Sequence, residues 1–366
     1  MGNRIKKLAE VLIEYSLNIK KGEKLAILGD VATLPLIKEC YRLAVIQGAL
    51  PQATISCDEL KEILLKRGNE EQIKYVPDNV KKLFQSADVI LSFFGGANTR
   101  MLANVNPEKL KLSAQGFSEI RQLFFERVAK KELRWCVTMF PNQASAQEAN
   151  MSLAEYEDFV YGAGYIDKED PVIEWEKIEM KQEQICKILN TKKNLRIFSK
   201  DTDLNMLIEG RKWVNCCGKA NFPDGEVFTG PVEDSMEGHV RFSFPGIYEG
   251  REIEDIRLTF KKGKVVKASA VKGEELLKQL LETDEGARFV GEIAVGTNYN
   301  IQRFTRHMLF DEKIGGTVHL ALGRSIPESL GKNQSAIHWD MLCDMKKGGK
   351  IYADNELVYK DGKFLI

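Results

Sequence analysis

Glu292, His319, His338 and Asp340 each interrupt a short apolar run in the last third of a 366-residue chain: Gly291-Glu-Ile-Ala-Val-Gly, Thr317-Val-His-Leu-Ala-Leu-Gly and Ser335-Ala-Ile-His-Trp-Asp-Met. If each run is a strand, its side chains alternate between two faces. Glu292 then opposes Ile293 and Val295. His319 opposes Val318, Leu320 and Leu322, and His338 and Asp340 share a face opposite Ile337, Trp339 and Met341. The ligand types converge on one sheet face, as a metal site requires.

Burying such groups without partners costs several kcal/mol. Carboxylates crowded to about 4 Å repel by about 4 kcal/mol per pair at an effective dielectric near 20. Divalent cations reverse that sign. Glu226 follows a Pro223-Asp-Gly turn at the start of a probable strand, and Glu312 lies just ahead of the His319 run. Four carboxylates (Glu226, Glu292, Glu312, Asp340) with two neutral imidazoles (His319, His338) match two divalent ions in formal charge. Oxygen and nitrogen donors without thiolate suit zinc, cobalt or manganese, with magnesium also compatible. Such a pair of ions forms a hydrolytic centre, lowering the pKa of a shared water and polarising a carbonyl. The competing reading is a set of satisfied ion pairs. His239 and His307 lack this setting and read as surface or packing residues.

Apolar alternation also organises the elements that must carry these groups. Up to about residue 167, helical periods at 3–18, 33–48, 58–67 and 107–131 alternate with strand-like runs at Lys24–Leu28, Gln52–Ile55, Asp88–Phe93 and Arg134–Met139. That alternation predicts a parallel sheet flanked by helices. A charged helix over about 170–190 could join two domains, its charge run a solvated face. Beyond Lys193 the texture becomes short β-type runs, with a hairpin turn at Lys261-Lys-Gly-Lys and one helix at about 273–283. The fold class is therefore α/β: an N-terminal α/β domain with its linker helix (1–190) and a β-rich α+β domain (191–366) that carries the candidate site.

Composition narrows the function. An apolar content of 43% with 29% charged residues is that of a soluble globular protein. Lys plus Arg (53) equal Asp plus Glu (53), which steers the chain toward neither nucleic acid nor an anionic membrane. Seven scattered cysteines without CxxC spacing read as reduced thiols of a cytoplasmic protein, the Cys216-Cys217 pair being strand filling. No signal peptide is evident, and no apolar run approaches the about 20 residues that span a bilayer. GxxxxGK[ST], HExxH and GxSxG are absent, and Gly95-Gly96 lacks the rest of a dinucleotide fingerprint.

Asn221-x-Pro-Asp-Gly-Glu-Val-Phe-Thr, Gly291-Glu-Ile-Ala-Val-Gly-Thr-Asn, Leu309-x-Asp-Glu-Lys, His319-Leu-Ala-Leu-Gly and His338-x-Asp340, with Pro141-Asn-Gln-Ala-Ser-Ala upstream, stand in one order along most of the chain. Together they resemble the thermophilic metalloaminopeptidase family of the aminopeptidase T and S type, leucyl aminopeptidase-like dimetal exopeptidases. The resemblance implies a dimetal centre with ligands Glu226, Glu292, Glu312, His319, His338 and Asp340, and Glu312 owes its place mainly to it. It also implies release of N-terminal amino acids from short peptides, a proton-shuttling role for Glu312, and a homodimer enclosing its active sites. Family members carry a tyrosine seven residues after the first histidine ligand, where this chain has Ile326, and the segment between His319 and His338 is trimmed. Isoleucine can neither contact a metal nor stabilise a tetrahedral intermediate. The alternative expectation is accordingly a weakened or inactive relative that binds metal and small peptides, and a third is a dimetal amidase.

Overall fold

The computed structural model describes residues 2–248 and 250–366. Its contacts divide the chain into two compact units, one of residues up to Val172 with Gly218–Pro223, the other of Ile173–Cys217 with Asp224–Ile366. In the first unit, five parallel strands run in the order Leu50–Ser56, Lys24–Asp30, Val89–Phe94, Arg134–Met139 and Asn221–Phe222. Parallel neighbours need long crossovers. Helices such as Leu34–Ile46 and Asp78–Ser86 supply them. The expected helix over 107–131 is two helices, Pro107–Gly116 and Ser118–Ala129. Gly116 abuts the Lys74 backbone, where an added Cβ would lie 2.5 Å from the carbonyl oxygen.

Close packing accounts for the glycine pair after the third strand of the sequence. A Cβ on Gly95 would meet the Thr33 side chain at 2.7 Å, and one on Gly96 would meet the Asp58 carboxylate at 2.4 Å. A carboxylate beside this turn disfavours an anionic nucleotide.

The second unit holds an eight-stranded sheet, a two-stranded ribbon and a five-stranded antiparallel sheet. One apolar core joins Leu195, Ile197 and Leu204 of the large sheet to Ile293, Val295, Val318 and Leu320 of the five-stranded one. The helix Pro171–Leu189 groups with this unit from Ile173 onward. The physical cause is amphipathicity: Trp175, Gln182, Ile185, Cys186 and Leu189 are buried, while Glu176, Lys177, Lys181, Glu183 and Lys187 face solvent. The Arg257–Lys261 and Lys264–Ser269 strands pair as the turn signal predicts, with positive φ at Lys262 and Gly263. None of the seven cysteines forms a disulfide. Among the described residues, no helix is long and apolar enough to cross a membrane.

Candidate metal centre

Strand register decides which side chains meet. The five-stranded sheet runs in the order His338–Asp344, Thr317–Gly323, Val290–Gly296, Glu226–Thr229, Val214–Cys216. Across it, Glu292 pairs with Ala321 and Ala321 with Asp340; Ala294 pairs with His319, Gly323 with His338, and Gly296 with Glu226. Glu226, Glu292, His319, His338 and Asp340 therefore share one face, and alanines 294 and 321 leave room between them. The residues between them (Val227, Ile293, Val318, Leu320, Trp339 and Met341) enter the core on the other face. Glu312 comes from outside the sheet, just after the short helix Met308–Asp311, whose N-cap is His307. His307 is half-buried and caps this helix, and His239 is exposed.

Ligand atoms of Glu226, Glu292 and His319 lie within 4.8 Å of one another, as do those of Glu292, His338 and Asp340, and those of Glu312, His319 and Asp340. His319 Nε2 is 3.4 Å from Glu226 Oε2 and 3.5 Å from Glu292 Oε1, and His338 Nε2 is 3.4 Å from Glu292 Oε2. These separations are long for hydrogen bonds. They match the edges of a tetrahedron with bonds of about 2.0–2.1 Å, which are about 3.3 Å. Glu226 Oε2, Glu292 Oε2 and both ring nitrogens of His319 are buried without any hydrogen-bond partner. Groups so orphaned fit divalent cations far better than they fit an ion-pair cluster. His338 adds a supporting contact, because its Nδ1 lies 2.7 Å from the Arg324 carbonyl oxygen. Donation of Nδ1–H there would leave Nε2 available as a ligand atom.

Comparison with known proteins gives the family. The family model for the thermophilic metalloprotease (M29) matches residues 1–364. The chain belongs to this M29 family. Aminopeptidase T of Thermus thermophilus is 27% identical over 395 residues, covering 98% of this chain and 95% of that protein. Aminopeptidase 2 of Geobacillus stearothermophilus is 26% identical over 402 residues, covering 98% and 94%. The solved structure of wild-type AmpT from Thermus thermophilus superposes with a TM-score of 0.88 at 24% identity, covering 99% of each chain, which establishes the shared fold.

The electrostatics of this cluster follow from burial. Burial alone would push both imidazoles down, but contact with Glu292 and the charges of Glu226 and Asp340 raise His319 to about 9. Asp340 and Glu292 likewise outweigh burial at His338, raising it to about 10. Glu292 is held well below the usual carboxylate range because its contacts with His319 and His338 overcome its own burial. Burial instead lifts Glu226 and Asp340.

A pH dependence of metal uptake follows. Imidazole must be neutral to ligate. Below about 9 both histidines carry protons that a bound ion would have to displace. Apparent affinity is expected to rise with pH by about tenfold per unit for each proton released, and to level off above the raised pKa values. Calorimetric titration in buffers of different ionisation enthalpy counts those protons. Uptake at pH 7 without proton release would contradict the assignment of the imidazoles.

Three residues beside the candidate ligands were not assigned roles from sequence. Lys313 is buried, with Nζ 2.6 Å from Glu226 Oε1 and 2.5 Å from Glu312 Oε1. Asp224, also buried, lies 3.6 Å from the same nitrogen. Gln182 donates to the Glu226 carbonyl at 3.0 Å and accepts from Thr297 at 2.7 Å, tying the helix to the ligand strand. A signal for Lys313 was available, since it directly follows Glu312. Gln182 offers none, lying 44 residues from its partner.

Proposed function

We propose that this face holds two divalent ions and that the protein is an aminopeptidase releasing N-terminal residues from short peptides. One observation carries the reading: Glu292 turns one oxygen toward His319 and the other toward His338, so a single carboxylate serves two ligand groups. Glu226, Glu292 and His319 would hold one ion, and Glu292, His338 and Asp340 the other. When bound, such a pair lowers the pKa of a water and polarises the scissile carbonyl. Glu312 is anchored to Lys313 through Oε1. In the proposed reaction its other oxygen accepts the proton of the attacking water and returns it to the departing amine. His338, fixed by the Arg324 carbonyl, keeps its ring oriented throughout.

The relatives named above are aminopeptidases, which supports a requirement for a free α-amine. Leucine p-nitroanilide and dipeptides are expected to be hydrolysed, and their N-acetylated forms to be refused. Equal hydrolysis of the acetylated forms would assign a dimetal amidase instead.

Ile326 favours a second reading, a weakened relative that binds metal and small peptides. It stands three residues beyond the His319 strand, half-buried, at the start of the Pro327–Ser329 turn. The resemblance expects a tyrosine there. Ile326→Tyr is expected to raise turnover by about 10²-fold, the lower end of the scale on which one oxyanion donor acts. Two-ion occupancy in both proteins without hydrolysis by either would establish the weakened relative.

A further inference from the structure

The ligand face continues past the two groups proposed to hold ions to a further cluster. Cys216 pairs with Glu226 in the sheet register, and ligand atoms of Cys216, Asp224 and Glu226 lie within 4.8 Å of one another. By donor type and spacing this group would take a thiophilic divalent ion. A cation is already there. Lys313 Nζ lies 2.6 Å from Glu226 Oε1 and 3.6 Å from Asp224 Oδ1, and its side chain is only 1% exposed. The same ammonium holds Glu312 Oε1 at 2.5 Å. Glu226 is thereby divided: Oε1 is committed to Lys313, and Oε2 is left toward His319 without a hydrogen-bond partner.

The turn that carries Asp224 is equally fixed. Asn298 donates to the Asp224 carbonyl at 2.8 Å, Thr297 donates to Gly225 at 2.8 Å, and Gly225 adopts φ 121° where a Cβ would meet Asn298 at 2.8 Å. The backbone of Lys313 is clamped on both sides, its nitrogen donating to Phe310 and its carbonyl accepting from Asn298. Carboxylates and ammonium are thus set against each other by independent backbone contacts.

We propose that Lys313 is a built-in third cation of the site. It is a positioning residue that offsets the charge of Asp224, holds one oxygen each of Glu226 and Glu312, and limits the cluster to two metal ions. Five buried or half-buried carboxylates then face two divalent ions and one ammonium, which match in formal charge. The inference rests on the two-ion reading of the neighbouring groups.

The test is a metal titration of the full-length chain, stripped and then loaded with Cd2+, comparing wild type, Lys313→Met and Lys313→Arg. Bound ions are counted by equilibrium dialysis, and thiolate ligation is followed by its ultraviolet charge-transfer absorption. Wild type and Lys313→Arg are expected to bind two equivalents. Lys313→Met is expected to bind one more, with a thiolate band that disappears in Lys313→Met/Cys216→Ser. Should Lys313→Met fold only when Cd2+ is supplied, that rescue together with the band is the same expected result. A folded Lys313→Met with the wild-type count and no band overturns the inference, as does misfolding that Cd2+ does not repair. The increment over wild type tests Lys313, whereas a wild-type count other than two fails the underlying reading, so the two failures are distinguishable.

Discussion

Glu292→Gln is expected to lose at least one of two bound ions and to lower kcat on the order of 10³-fold, because supporting contacts alone are worth 10–100-fold and Glu292 is itself a shared ligand. The reason is geometric. Glu292 Oε1 faces His319 Nε2 at 3.5 Å and Oε2 faces His338 Nε2 at 3.4 Å. Glutamine keeps the shape but offers one oxygen and one NH2, and an amide nitrogen does not ligate these ions. Whichever way the amide turns, one group loses its donor. The fold should survive, since the change adds no volume to a position only 3% exposed. Metal content by mass spectrometry, with steady-state kinetics on the same preparation, reads both effects. Two retained ions with activity within tenfold of wild type would remove Glu292 from the centre of the account.

Ala321→Leu is the second large effect, and it comes from the register alone. Ala321 is fully buried and lies on the ligand face between Glu292 and Asp340, its partners on the two neighbouring strands. Directly paired Cβ atoms stand about 4.5–5.5 Å apart. An isobutyl group there fills the space in which an ion would meet both carboxylates. Metal uptake is expected to fall below detection, while overpacking costs about 1–3 kcal/mol of stability. Leu320→Ala, one residue earlier, faces the core and should do the opposite: about 2–5 kcal/mol of stability lost, with metal uptake per folded molecule retained. Denaturant melts and metal analysis of the two variants should therefore cross. If both lose stability and metal alike, the strand faces are not divided as the register indicates.

These two neighbours also show what the sequence made legible. A strand repeats every two residues, so Glu292, His319, His338 and Asp340 reveal their shared face locally, and the Pro223-Asp-Gly turn places Glu226 at a strand start. Lys313 reaches Glu226 across 87 positions, and Gln182 reaches the same residue across 44. No periodicity spans such distances. In the first unit, alternating apolar runs disclosed the parallel strands, whereas the break at Gly116 depends on the distant Lys74 backbone. The Asn221–Phe222 strand is too short to carry a pattern, yet it forms the sheet edge beside Arg134–Met139. The helix Leu153–Ala163 did have a local mark, the capping box of Ser152 and Glu155.

The central claim is that two ions held on one sheet face make this chain an aminopeptidase. Its most direct test is to strip the protein with a chelator, add zinc or cobalt back in steps, and follow leucine p-nitroanilide hydrolysis against bound metal. The account predicts no turnover in the stripped protein and recovery to a plateau at two equivalents per chain. Hydrolysis that is indifferent to chelation, or full recovery at a single equivalent, would contradict it.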